Sequence, residues 1–205
     1  MPLAMFNPCS PCCGRRERRD GNTNIIMYLD TTGSMHTHIN NHKHLIVNFF
    51  NKLDYALPTS RYSFVVFGNR INCDPPPGYQ IMVSKETAGQ AAQAALNPRL
   101  YSGCVPPETG LFAIDETVLS LTDITGNNYV VYITDESDQE NHLIPNIEIK
   151  FFQRRVVAFG MYKMYHRVGD SDPRDVLFSM ENGEHTTNFD WVILNRWADI
   201  IISLG

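Results

Sequence analysis

Short, unbroken apolar runs alternate along this chain with stretches whose apolar positions recur every three or four residues. Residues 24–29 (NIIMYL), 61–67 (RYSFVVF), 129–134 (YVVYIT) and 155–162 (RVVAFGMY) are runs rich in β-branched and aromatic residues, and 79–84 (YQIMVS) is a shorter one. Runs of this kind predict strands buried on both faces of a sheet. Between the first two, Met35, Ile39, Ile46, Phe49, Phe50 and Leu53 fall on one helical face, which predicts a helix over 35–55 closed by Pro58. ETAGQAAQAAL (86–96) reads as a second helix that stops before Asn97-Pro98, because a residue preceding proline disfavours helical backbone. Leu111, Ile114, Val118 and Leu121 mark a third. A last helix is expected from near Asp190, a capping residue, with Ile193, Trp197, Ile200 and Leu204 on one face. The stretch 163–189 is the least regular. It holds a helical segment, PRDVLFSM, and an edge strand near His185–Phe189.

Strands alternating with helices imply an α/β domain: a doubly wound, mostly parallel central sheet with helices on both faces. Right-handed crossovers leave few topologies for such a sheet. Its ligands bind beyond the carboxyl ends of the strands, where strand order reverses. Residues 1–23 stand apart. They are rich in Pro, Cys, Gly and Arg and carry no periodicity, so the chain divides into an extended arm (1–23) and one domain (24–205).

Composition changes this picture little. A chain of 205 residues with 43% hydrophobic and 19% charged residues can bury one full core. A net charge of −5 offers no broad attraction to nucleic acid or to an anionic membrane, and the cluster Arg15, Arg16, Arg18 and Arg19 is local. No apolar run approaches the about 18 residues that span a bilayer. The start, MPLAMFNPCSPCC, lacks the apolar stretch of a secretory signal, so the product is expected to begin in a cytoplasm, with its five cysteines as thiols or metal ligands.

Candidate chemistry gathers at the strand ends. The first strand runs into Asp30, followed by Thr32 and Ser34 around Gly33; the fourth ends at Asp135; Thr109 opens the helix that begins in PPETGLFAI. Two carboxylates and three hydroxyls form an oxygen-only set, which suits Mg²⁺, or Ca²⁺ or Mn²⁺, and not a thiophilic metal. Mg²⁺ keeps waters among its six ligands, so a position open to an outside carboxylate is natural. A phosphate-transferring reading of YLDTTG fails, because the second Asp that such a motif needs is Thr32 here. Ser34 lacks the G-x-S-x-G elbow of a hydrolase, and no G-K-[ST] loop is present.

In these three elements the chain resembles the von Willebrand factor A family over roughly residues 24–204. The family's metal-ion-dependent adhesion site has an Asp-x-Ser-x-Ser element, a distant Thr and a distant Asp. Asp30, Thr32 and Ser34 match the first, with Thr in place of the first Ser; Thr109 and Asp135 match the others. The resemblance implies a non-enzymatic module that binds other protein chains through the cation. Its setting would be a larger assembly, such as a virus or phage particle, to which residues 1–23 anchor it. The alternative is a regulatory subunit of an ATPase or chelatase-type machine. The chain departs from the family in having Glu136, then Asp138, where Gly often follows the last Asp, and in having Glu108 before Thr109. Glu108 and Glu136 are either solvated loop residues or groups that close the open coordination position.

Three features lie outside that set. Cys9, Cys12 and Cys13 form C-x₂-C-C, half of a four-thiolate Zn²⁺ or iron–sulfur site, or else idle thiols. Cys73 and Cys104 fall in the two loops flanking the proposed metal site. His36, His38, His42 and His44 crowd the first helix, where an exposed polar face is the simpler reading and His38 with His42 a chelating alternative. Only His36 lies close enough to the hydroxyls to reach the site. Trp191 and Trp197 read as core or interface anchors.

Overall fold

The structure, a computed structural model, describes residues 22–69, 74–102, 109–135, 140–163, 172–180 and 182–205. The strands are β1 (Thr23–Asp30), β2 (Arg61–Phe67), β3 (Tyr79–Glu86), β4 (Asn127–Thr134), β5 (Val156–Tyr162) and β6 (Glu184–Thr186). The helices are α1 (Met35–Ala56), α2 (Ala88–Leu96), α3 (Gly110–Leu121), α4 (Ile144–Arg154), α5 (Asp175–Phe178) and α6 (Ile193–Leu204), with a 3-10 turn at Asn141–Leu143. The strands form one sheet in the order β3-β2-β1-β4-β5-β6. Every pairing is parallel except β2 with β3, which is antiparallel. This is the doubly wound α/β fold expected from the alternation of runs.

Alternation along the strands builds two cores, as it must when helices cover both faces. Ile25, Met27 and Leu29 of β1 face α1, α2 and α6, whereas Ile26 and Tyr28 face α3, α4 and α5. The six apolar residues that predicted α1 are its buried residues: Met35, Ile39, Ile46, Phe49, Phe50 and Leu53. Leu111, Ile114, Val118 and Leu121 are likewise buried on α3. Tyr28 gives its hydroxyl proton to Thr117 Oγ1 across 2.8 Å, because Thr117 already donates to the Ala113 carbonyl at 2.6 Å. No helix among the described residues is long and apolar enough to cross a membrane.

Several expectations need correction. The sequence reading had no helix over Asn141–Arg154, where the 3-10 turn and α4 stand. α2 starts at Ala88 and not at Glu86, because Thr87 and Gln90 form a reciprocal capping box that fixes its first turn. α6 starts at Ile193, after a turn in which Asp190 Oδ1 accepts from Val192 N at 3.1 Å. Its fully buried face is Leu194, Trp197, Ala198 and Ile201, while Ile193, Ile200 and Leu204 pack at its margin.

The face of α1 that carries His38 and His42 is not simply exposed. His42 stacks on Trp191 at 5.4 Å with the rings 1° apart, and His38 meets Phe189 edge-on at 5.0 Å. His42 Nδ1 lies 2.9 Å from the His38 carbonyl, which can only accept, so that nitrogen carries the proton.

Candidate metal centre

β1 has β2 on one side and β4 on the other, so the chain winds outward in both directions from the β1/β4 pair. That pair is the switch point, and the carboxyl ends of its two strands open the crevice where doubly wound sheets take ligands. Asp30 is the last residue of β1, and Asp135 follows the last residue of β4. The loop after β1 is pinned by backbone: Thr31 N donates to the Phe67 carbonyl at 3.0 Å, and Tyr101 N donates to the Thr31 carbonyl at 2.9 Å. His36, in the first turn of α1, adds Nε2–H to the same Thr31 carbonyl at 3.0 Å. A side chain at Gly33 would press on the Ser102 carbonyl at 3.2 Å, so the tight approach of these loops favours glycine there.

Asp30, Thr32, Ser34 and Asp135 form one continuous chain of contacts. Asp30 Oδ1 accepts from Thr32 N at 2.9 Å and from Thr32 Oγ1 at 2.7 Å. Thr32 Oγ1 lies 3.5 Å from Ser34 Oγ, and Ser34 Oγ donates to Asp135 Oδ1 at 2.9 Å. The sequence reading missed Thr134, whose hydroxyl donates to Asp30 Oδ2 at 2.7 Å. Its position as the last residue of β4, beside Asp135, was the available signal.

Thr109 sits at the same end of the sheet, immediately before α3, but its bonds run elsewhere. Its Oγ1 donates to the Gly68 carbonyl at 2.6 Å, and its N–H donates to the same oxygen at 3.1 Å. Gly68 follows Phe67, the register partner of Asp30. Thr109 is thus held one loop away from Asp30, with its proton committed to the Gly68 carbonyl. Asp74 ties that loop to the next, accepting from Asn69 N at 3.0 Å, Ser102 N at 3.0 Å and Ser102 Oγ at 2.9 Å.

The electrostatics are unbalanced in one direction. Asp30 is fully buried and Asp135 nearly so, while Ser34 opens to solvent. Burial pushes the Asp30 carboxyl up to about 7, against the hydrogen bonds from Thr32 and Thr134 that favour its charge, and the nearby Asp135 charge adds to the rise. A dry carboxylate beside a second one, met by neutral hydroxyls, is short of positive charge. Among the described residues no three His, Cys, Asp or Glu side chains converge, so a cation here would rest on two carboxylates and neutral hydroxyls alone. The donors fit such an ion. Ser34, Thr32 and Asp135 face one another with lone pairs to spare, while both Asp30 oxygens are already engaged and orient the hydroxyls. Glu108, Glu136, Asp138, Cys9, Cys12, Cys13, Cys73 and Cys104 lie outside the described residues.

No family model matches the sequence, and no curated protein matches it either. Solved structures do. Proximal thread matrix protein 1 from the mussel byssus superposes with a TM-score of 0.61 at 16% identity, covering 91% of this chain and 48% of that one. A second structure of the same protein gives 0.61 at 17% identity. The pilus adhesin SpaC from Lactobacillus rhamnosus GG, in an open conformation, gives 0.57 at 16% identity, covering 90% of this chain and 30% of that one. The chain therefore spans about half the length of the mussel protein and under a third of the adhesin. At such identities the likeness is one of fold, and the fold it shows is the vWA-like doubly wound sheet.

Proposed function

We propose that this chain is a non-enzymatic binding module in which Asp30, Thr32, Ser34, Thr109 and Asp135 hold a divalent cation, Mg²⁺ or else Ca²⁺ or Mn²⁺, that completes contact with an acidic group of a partner protein. The observation that carries this reading is the chain of contacts from buried Asp30 through Thr32 and Ser34 to Asp135 at the β1/β4 switch point. A bound cation supplies the missing positive charge and a Lewis-acidic position facing solvent. Buried Asp30 would charge the site from below, with Ser34 on its solvent side. A thread matrix protein and a pilus adhesin share the fold, which supports a role in holding proteins together over one in chemistry. Within a larger assembly, such as a virus or phage particle, the arm with its four arginines and Cys9, Cys12 and Cys13 is the natural anchor, with Zn²⁺ or an iron–sulfur cluster as the ligand those thiols suit.

The test is calorimetric titration of Mg²⁺, Ca²⁺ and Mn²⁺ into metal-stripped protein. One ion per chain is expected, lost in Asp135→Asn while the circular dichroism spectrum stays unchanged. A wild-type protein that takes up none of the three, or an Asp135→Asn variant that binds as tightly as wild type, sinks the reading.

A further inference from the structure

The end of the sheet opposite the candidate metal centre carries a second set of polar groups. A basin of about 590 Å³ opens there, lined by Asn22, Arg61, Thr122, Asp123, Thr125 and Arg154, with Ile124 at the rim. It gathers the start of β2, the residue before β1, the α3–β4 connection and the last residue of α4. β1 is eight residues long, so the two ends lie roughly 25 Å apart at about 3.3 Å per residue.

The charge in this basin is not balanced by its own acid. Asp123 spends both oxygens elsewhere: Oδ1 accepts from Lys85 Nζ at 2.8 Å, and Oδ2 accepts from Asn24 Nδ2 at 3.1 Å. The hydrogen bond from Lys85 holds the Asp123 carboxyl below the usual carboxylate range. Lys85 is thus the hydrogen-bonded counter-charge of Asp123, and Arg61 adds a weaker charge interaction with it. Among the described residues, neither Arg61 nor Arg154 forms an ion pair with a carboxylate.

The carbonyls that would repel an anion are covered too. Lys85 Nζ reaches the Thr122 carbonyl at the end of α3, at 3.4 Å, and Asn128 Nδ2 donates to the Arg154 carbonyl at the end of α4, at 2.7 Å. Lys85, Arg61 and Arg154 thus set three cations against the one carboxylate of Asp123, with the Thr125 hydroxyl exposed beside them; the Thr122 hydroxyl is spent on the Val118 carbonyl at 2.6 Å. The rest of the chain makes this unusual. Four arginines and two acids give residues 1–21 a net charge of +2, which leaves −7 for residues 22–205.

We propose that this basin binds oxyanion groups, with Arg61 and Arg154 as the two cationic contacts and the exposed Thr125 as a hydroxyl donor, and that its ligand is the carboxylate-bearing side chains of an acidic protein segment. Guanidinium forks suit carboxylates. The exposed Ile124, at 71% of its free surface, gives a peptide an apolar contact that inorganic phosphate has no use for.

The experiment measures fluorescence anisotropy of a labelled hexaglutamate peptide with the full chain. Metal-stripped protein in resin-treated, chelator-free buffer is used, so the candidate metal centre takes no part and failure here says nothing of it. Binding at low ionic strength is expected, weakening steeply as salt passes about 0.15 M. Arg61→Ala and Arg154→Ala are each expected to weaken it by about tenfold or more, as loss of a charge-assisted hydrogen bond does. Arg61→Lys, which keeps the charge and loses the fork, is expected to fall between. Inorganic phosphate is the competitor: displacement only at far higher concentration than unlabelled hexaglutamate assigns the basin to an acidic segment. Equal potency overturns that assignment and leaves a free-oxyanion site. Peptide that does not bind, or that binds both alanine variants as well as wild type, overturns the proposal.

Discussion

At the scale of single residues, Asp30 concentrates the cost and the use of this site. Three hydrogen bonds from Thr32 and Thr134 stabilise its charge, yet burial outweighs them and holds the carboxyl near 7 instead of the ordinary 3.8. The folded state then binds more protons at Asp30 than the unfolded state does between those two values. This group's contribution to stability therefore falls as pH rises from 3.8 to about 7 and is flat above. Metal-free protein is expected to melt several degrees higher at pH 5.5 than at pH 8, and a saturating divalent cation is expected to remove that difference. Asp30→Asn keeps an acceptor for Thr32 and places an amide toward the Thr134 hydroxyl, so it removes the buried charge without removing the contacts. Differential scanning calorimetry should show this variant at least as stable as wild type at pH 8 without metal, with no metal-dependent shift. A large destabilisation would mean that the charge itself is held by something other than a cation. The hydroxyls and carboxylates of this site were legible in the sequence because Asp30-x-Thr32-x-Ser34 is local. Thr134 was not, since a threonine ending a β-run is ordinary until its hydroxyl is seen 2.7 Å from Asp30.

At the scale of elements, α3 shows how a helix start is placed. A Cβ at Gly110 would stand 2.5 Å from the Tyr132 hydroxyl and 2.8 Å from the Phe67 ring, so only glycine lets α3 meet β2 and β4 this closely. That closeness delivers Thr109 to the carboxyl end of the sheet. Gly110→Ala is expected to cost about 1–3 kcal/mol through overpacking, read from urea melts, and to weaken cation binding by lifting Thr109 away. Unchanged binding alongside lost stability would remove Thr109 from the site. α4 is the element that the pattern concealed. Ile144, Ile147 and Phe151 are its buried positions, but Ile149 and Phe152 are 56% and 73% exposed, so apolar residues on both faces blur the period. α1 was clear for the opposite reason: its six buried apolar residues share one face, and polar residues fill most of the rest, with Tyr55 the one large apolar side chain left exposed.

At the scale of the whole molecule, two cores lie on the two faces of one sheet. Every buried residue of both cores among the described residues lies at Ile25 or beyond. A chain beginning at Asn22 is accordingly expected to keep a single cooperative thermal transition within a few degrees of the full chain. Loss of that transition would make residues 1–21 part of the fold. The sheet also separates two surfaces of different chemistry: an acidic, hydroxyl-lined crevice at the carboxyl ends of the strands and a basic basin at their amino ends.

The sequence by itself determined the elements whose signal is local: unbroken apolar strands, the one-sided faces of α1 and α3, and an Asp, Thr and Ser spaced to share a turn. It also determined the fold class, since strands and helices in alternation with both sheet faces apolar allow few other packings. Only the tertiary structure decided which strands are neighbours. That order puts β1 beside β4, and so sets Ser34 Oγ 2.9 Å from an Asp135 carboxylate 101 residues away. Only the tertiary structure, too, turned the outer positions of His38 and His42 into stacking partners for Phe189 and Trp191, and gathered Arg61 and Arg154 around one basin. Periodicity records which face of an element is apolar. It carries no information about what that face, or the end of the strand beside it, will meet.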